Sequence, residues 1–82
     1  MTRAEILDSL SGVFAEVFGR PVMLTEATTS ADVDGWDSIA HVMLIVASEG
    51  EFGVRFDSTE LANVATVGEF VSLIAAKRNG AS

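Results

Sequence analysis

The stretch GWDSIAHVMLIVASEGEFG, residues 35–53, decides the architecture. Asp37 carries the short acceptor side chain that caps a helix start, and Gly53 is the residue type that relieves the left-handed position at a helix end. Between them the chain predicts a helix from Ser38 to about Phe52. Gly50 inside it costs about 1 kcal/mol relative to Ala, so the last turn is expected to fray. At about 100° per residue, one face holds His41, Leu44, Ile45, Ser48 and Phe52, and a roughly opposite face holds Ile39, Val42, Met43, Val46 and Gly50. A helix that is apolar on nearly all sides either sits centrally in a bundle or offers one face to a partner. Periodicity alone leaves open which face is core.

Outward from this helix the same local signals recur. Thr2 and Glu5 have the spacing of a capping box, and Ile6, Leu7, Leu10, Val13, Phe14, Val17 and Phe18 follow at helical spacing. Gly19 and Pro21, the only proline, end that amphipathic helix, because Pro cannot continue it. A long loop then runs to about Asp37. Asp57 and Glu60 predict a short third helix over Ser58 to Asn63. Thr66 and Glu69 form another capping box ahead of Val67, Phe70, Val71 and Ile74, and Lys77 and Arg78 suit the carboxyl end of that last helix. The expectation is an all-α, four-helix bundle with a short third helix and a long loop between the first two. No internal repeat is visible.

Eighty-two residues support one modest core, so residues 1–82 are expected to form a single domain. The hydrophobic share, 49%, is that of a folded chain. The absence of cysteine excludes disulfides and Cys-based zinc or redox sites and fits a reducing compartment, which makes the cytoplasm the expected location. Glu5 and Asp8 interrupt any signal-peptide core, and the longest apolar run, Val42 to Ala47, is too short to span a bilayer, so no membrane insertion is expected. Net charge is −7, and all of it arises between Glu26 and Glu60, where eight acids face one base, Arg55. Such a field repels nucleic acid and attracts proteins with basic patches.

Several chemistries fail on spacing. Asp32-Val33-Asp34-Gly35 has the look of a calcium loop, but with Gly35 at the sixth position the twelfth is His41, where a bidentate glutamate is required. The Gly35-Trp36-Asp37-Ser38-Ile39 order misplaces the serine for a G-x-S-x-G nucleophile elbow and lacks the second glycine. His41 is the only histidine, so zinc lacks a ligand set, and the residue reads as a partly packed helix position. From residue types alone, Asp37-Ser38 reads as a helix cap. The position also has a chemical use, because a phosphodiester on Ser38 would meet the unpaired N–H groups and positive dipole end of the helix that starts there.

Gly35-Trp36-Asp37-Ser38-Ile39, followed by a long apolar helix that closes in Glu49-Gly50-Glu51-Phe52-Gly53-Val54, resembles the acyl carrier protein family, whose attachment motif is commonly Asp-Ser-Leu. The resemblance covers most of the chain. It implies that Ser38 accepts 4'-phosphopantetheine from coenzyme A through a phosphopantetheinyl transferase and that Asp37 helps hold the magnesium of that reaction. It further implies that the loaded thiol ferries acyl groups between enzymes of fatty-acid, polyketide or related lipid biosynthesis, the carrier itself catalysing nothing. By the same resemblance Ile39, Met43 and Val46 form a docking surface, and Leu44, Ile45 and Phe52 are core. Acids around Asp34, with Asp32 and Asp37, would steer acyl-transferring or condensing enzymes that carry basic or apolar docking patches. Ile39 departs from the usual leucine, and Ala40, Met43 and Gly50 stand where fatty-acid carriers often have acids. Those three residues would leave the partner face short of up to three negative charges. A monomeric carrier is the expected form. Two alternatives remain: a peptidyl or aminoacyl carrier, against which Asp37 speaks because such carriers more often have histidine there, and an acidic helical adaptor with no prosthetic group.

Overall fold

Each helix of the computed structural model, which describes residues 1–80, begins where a short polar side chain can take up an orphan N–H. Helix α1 spans Arg3–Phe18, with Thr2 and Glu5 in a reciprocal capping box and Gly19 in the left-handed conformation at its end. Helix α2 spans Ser38–Phe52, capped by Asp37 and closed by Gly53, whose φ of 66° is the left-handed value anticipated from its residue type. Helix α3 covers Ser58–Ala62 under an Asp57/Glu60 capping box, ending one residue earlier than expected because Asn63 forms the C-cap. Helix α4 covers Val67–Gly80, and its Glu69 N–H donates to Thr66 Oγ1. A 3-10 turn at Ser30–Asp32, not foreseen from the sequence, interrupts the long loop. There is no strand among the described residues.

The arrangement of apolar side chains on α1 brings the bundle together. Ile6, Leu10, Val13 and Phe14 lie along one stripe and are all buried, and α1 packs against both α2 and α4. Their partners in the core include Leu44 and Phe52 from α2, Val54 beyond it, and Val67, Phe70, Val71 and Ile74 from α4. Each such side chain, fully withdrawn from water, contributes about 1.5–3 kcal/mol before the entropy of ordering is counted. Helix α3 has no fully buried residue. It is held by the Lys77–Glu60 ion pair, while just ahead of it the Phe56 ring packs against Phe70 at a centroid distance of 5.2 Å.

The long loop is tied to the start of α4. Val67 and Gly68 donate their N–H groups to the carbonyls of Thr28 and Glu26, both at 2.8 Å. Two orphan donors of α4 are thereby satisfied by loop backbone, and this tolerates no side chain at position 68. A β-carbon on Gly68 would lie 2.8 Å from the Glu26 carbonyl oxygen and 3.0 Å from the Glu26 β-carbon. Arg3 completes the tie, since its guanidinium bonds the Glu26 carboxylate, Ser72 Oγ and the Gly68 carbonyl. That contact holds the Glu26 carboxyl below its usual range. At the other end of the loop Val33 is buried and Trp36 sets its ring edge-on to Phe14, with centroids 5.1 Å apart.

Candidate functional site

The start of α2 lies where this pinned loop turns back to the bundle. Gly35 occupies a positive φ of 86°, Trp36 N–H reaches Val33 O at 3.3 Å, and the chain then enters the helix. Asp37 accepts twice, through Oδ1 from Ala40 N–H at 2.9 Å and through its carbonyl from His41 N–H at 2.9 Å. What remains of the first turn's orphan donors is the pair of N–H groups on Ser38 and Ile39. Ser38 is the first helical residue and its side chain is exposed. A negatively charged group carried there would face two unpaired donors and the positive end of a 15-residue helix.

The structure separates the two faces of α2 that periodicity left open. Ala40, Leu44, Ser48 and Phe52, spaced four apart, point into the core. Ile39, Val42, Met43 and Val46 remain 72%, 60%, 48% and 62% exposed, an apolar stripe running down the helix from beside Ser38. Of the core residues implied by resemblance, Leu44 and Phe52 are buried and Ile45 is half-buried. Val42 belongs with the exposed stripe, a membership readable from its helical angle once the core face is known.

One sequence expectation changes. Ala40 is buried at 8% exposure, so it belongs to the core stripe and its residue type leaves the exposed face unaltered. Of the three positions singled out by the resemblance, Met43 and Gly50 are exposed and Ala40 is not. Glu49 is also less available than its residue type suggests, because its Oε2 accepts the Phe56 N–H at 2.9 Å and ties the α2–α3 connection to the helix.

The acids of the loop are unequal. Asp32 accepts from both Thr29 N–H and Thr29 Oγ1, and one oxygen of Asp37 is held by Ala40, whereas Asp34 is exposed and engages Arg20 through its carbonyl. No cluster of three His, Cys, Asp or Glu side chains suited to a metal is present among the described residues.

Beside Ser38 lies a shallow surface depression lined by Ser30, Trp36, Asp37, Ser38, His41 and Val42. Behind it, between α2, α3 and α4, is a mostly apolar cavity of about 100 Å³, whose walls include Phe14, Leu44, Ile45, Leu61, Val64 and Phe70. Ser30, Trp36 and His41 line both spaces. The half-buried His41 stacks on Trp36 with 21° between the rings. Sequence reasoning placed His41 as a partly packed residue but gave neither ring this shared position, since the contact joins a loop to a helix.

Comparison with known proteins agrees with this geometry. Residues 8–74 match the phosphopantetheine attachment site family. The chain is 38% identical over 77 residues to the acyl carrier protein of Acidothermus cellulolyticus, covering 92% of this chain and 90% of that one. It is 35% identical to the acyl carrier protein of Thermotoga maritima, covering 93% and 95%. The solution structure of holo acyl carrier protein from Geobacter metallireducens superposes with a TM-score of 0.87 at 34% identity, over 93% of this chain and 88% of that one. With a matching attachment family, relatives aligned over nearly their full length and the same all-helical fold, this chain belongs to the acyl carrier protein family, whose members are not enzymes but carriers with covalently attached phosphopantetheine.

Proposed function

We propose that Ser38 is the attachment point for 4'-phosphopantetheine and that the stripe of Ile39, Val42, Met43 and Val46 beside it receives partner enzymes. The observation that carries this reading is the exposed Ser38 hydroxyl at the first residue of α2, between two free N–H donors and an unpartnered apolar helix face. The residues fit the group. A phosphodiester on Ser38 gains the positive end of the helix, and Asp37, with only Oδ1 committed to the cap, keeps its second oxygen for the magnesium of the transfer reaction. When bound, the arm supplies a thiol that holds acyl groups as thioesters. The protein's own residues position the arm, present it to solvent and leave the chemistry to the partners.

Asp34 and the other acids near the arm favour basic surfaces during encounter, while the apolar stripe supplies the contact once partners meet. A carrier of this kind works as a monomer in the cytoplasm, since it must enter several active sites in turn. No helix among the described residues is long and apolar enough to cross a membrane. Asp37 ahead of Ser38 favours an acyl carrier over a peptidyl or aminoacyl carrier. The test is intact mass after exposure to a phosphopantetheinyl transferase and coenzyme A. Native chain should gain one arm and folded Ser38→Ala none. A full mass gain in Ser38→Ala would refute the assignment.

A further inference from the structure

A surface groove runs between α1 and α2, lined by Glu16 and Val17 of the first helix and by Val42, Met43, Val46 and Ala47 of the second. Three of the four exposed apolar side chains of α2 therefore line a surface shared with α1. Among the described residues, α3 offers no exposed large apolar side chain. Val42 lines both this groove and the depression at Ser38, so the two are continuous within one helical turn of the attachment serine. Glu16 is the only charged residue that lines the groove, and its charge is uncompensated. Arg20, the nearest base in sequence, commits its guanidinium elsewhere, donating to Asp34 O at 2.7 Å and lying over the Phe18 ring. Arg3, the other base ahead of Ser38, is held by Glu26. Neither ion pair among the described residues includes Glu16. An apolar groove with one unpaired acid fits an apolar side chain flanked by a lysine or arginine.

The occupant follows from where the chemistry takes place. Enzymes that handle the loaded thiol reach it at the far end of the arm, whereas the transferase must bring coenzyme A to the Ser38 hydroxyl itself. Its body therefore covers the surface within a turn of Ser38, where the groove begins. Resting on the carrier reading of Ser38, we propose that α1 forms half of the docking surface for the phosphopantetheinyl transferase. An apolar side chain of the transferase enters the groove against Val17, Val42 and Val46, and a neighbouring lysine or arginine pairs with Glu16. The apolar contact holds the two proteins together, and the ion pair fixes how the transferase lies across the helices.

The experiment uses the full chain as the transferase meets it, without its arm, and follows arm attachment from coenzyme A by intact mass at several carrier concentrations. Glu16→Lys sets a like charge against the transferase's base, so the KM for the carrier should rise about fivefold, and added salt should shrink that difference. Asp8→Lys makes the same change in net charge at an exposed α1 position outside the groove, and should alter KM less than about twofold. Val17→Thr keeps the side-chain shape but puts a hydroxyl into the groove, and should raise KM about threefold or more. If Val17→Thr does not fold, Glu16→Lys, at an exposed position, decides alone. An unchanged KM in either folded groove variant overturns the proposal. Equal effects of Glu16→Lys and Asp8→Lys overturn it too, since the acids would then act only as a general field. A native chain that sediments as a dimer, and that Glu16→Lys dissociates, gives the groove to a second copy and likewise overturns it. Failure of the native chain to gain an arm is a separate result, visible in the mass, and refutes the carrier reading on which the docking rests.

Discussion

Ser48 offers a sharp test of how this core is built. Its side chain is fully buried on the inward stripe of α2, between Leu44 and Phe52, and its hydroxyl has no hydrogen-bond partner. A buried hydroxyl left unpaired costs about 1–3 kcal/mol relative to one that is satisfied or absent. Ser48→Ala removes that cost and adds a few tenths of a kcal/mol of helix propensity. Against this stands the loss of one oxygen's volume, at about 24 cal/mol per Å³ of residual cavity, which again is about a few tenths of a kcal/mol. The balance is a gain of about 1 kcal/mol, and in a domain of this size that raises Tm by about 4–8 °C. Thermal unfolding followed by circular dichroism, with urea unfolding as a second measure, would show it directly. A lower Tm in Ser48→Ala would refute the reasoning, because it would mean that the hydroxyl bonds the Leu44 carbonyl one turn back or a buried water strongly enough to outweigh the removed penalty.

Three other outcomes are expected. Gly68→Ala should destabilise by about 1–3 kcal/mol in urea unfolding, since the new methyl group meets loop backbone at Glu26, and an unchanged midpoint would show that the loop gives way freely. Glu26→Gln should be less stable than the native chain at neutral pH, because the Arg3 guanidinium holds the folded Glu26 carboxyl below its ordinary 4.5. A lowered carboxyl pKa contributes stability that is complete above the unfolded value and lost as pH falls through the folded one, so the gap between the two proteins should close below about pH 4.5. A gap that widens on acidification would contradict the pairing. For docking, folded Met43→Ala should weaken binding to a partner enzyme by about 2 kcal/mol, more than Glu51→Gln, because a packed apolar anchor outweighs an exposed charge pair of about 0.2–1 kcal/mol. Normal binding by Met43→Ala, together with binding lost on raising salt, would place the docking surface on the acidic loop.

The helices and the exposure of Ser38 were legible in the sequence because their causes are local, whereas its proposed role as attachment point came from the family resemblance. A cap joins residues three apart, as in Thr2 with Glu5, Asp57 with Glu60 and Thr66 with Glu69, and Gly19 and Gly53 end helices by their own backbone freedom. The exposed hydroxyl of Ser38 follows equally from standing first after a cap. What stayed hidden depends on residues far apart in the chain. Helix α2 is apolar nearly all round, so no pattern within it could tell Ala40, which is buried, from Met43, which is half exposed. The packing of α1 and α4 made that choice. Gly68 is an ordinary glycine until the carbonyl of Glu26, forty-two residues earlier, is laid against it, and Glu49 is an ordinary surface acid until Phe56 donates to it. The stack of Trp36 on His41 likewise exists only because the loop folds back on the helix it leads into. Local chemistry set where each helix starts and stops, while burial, which any apolar face accepts, acquired its direction only when distant segments competed to cover it.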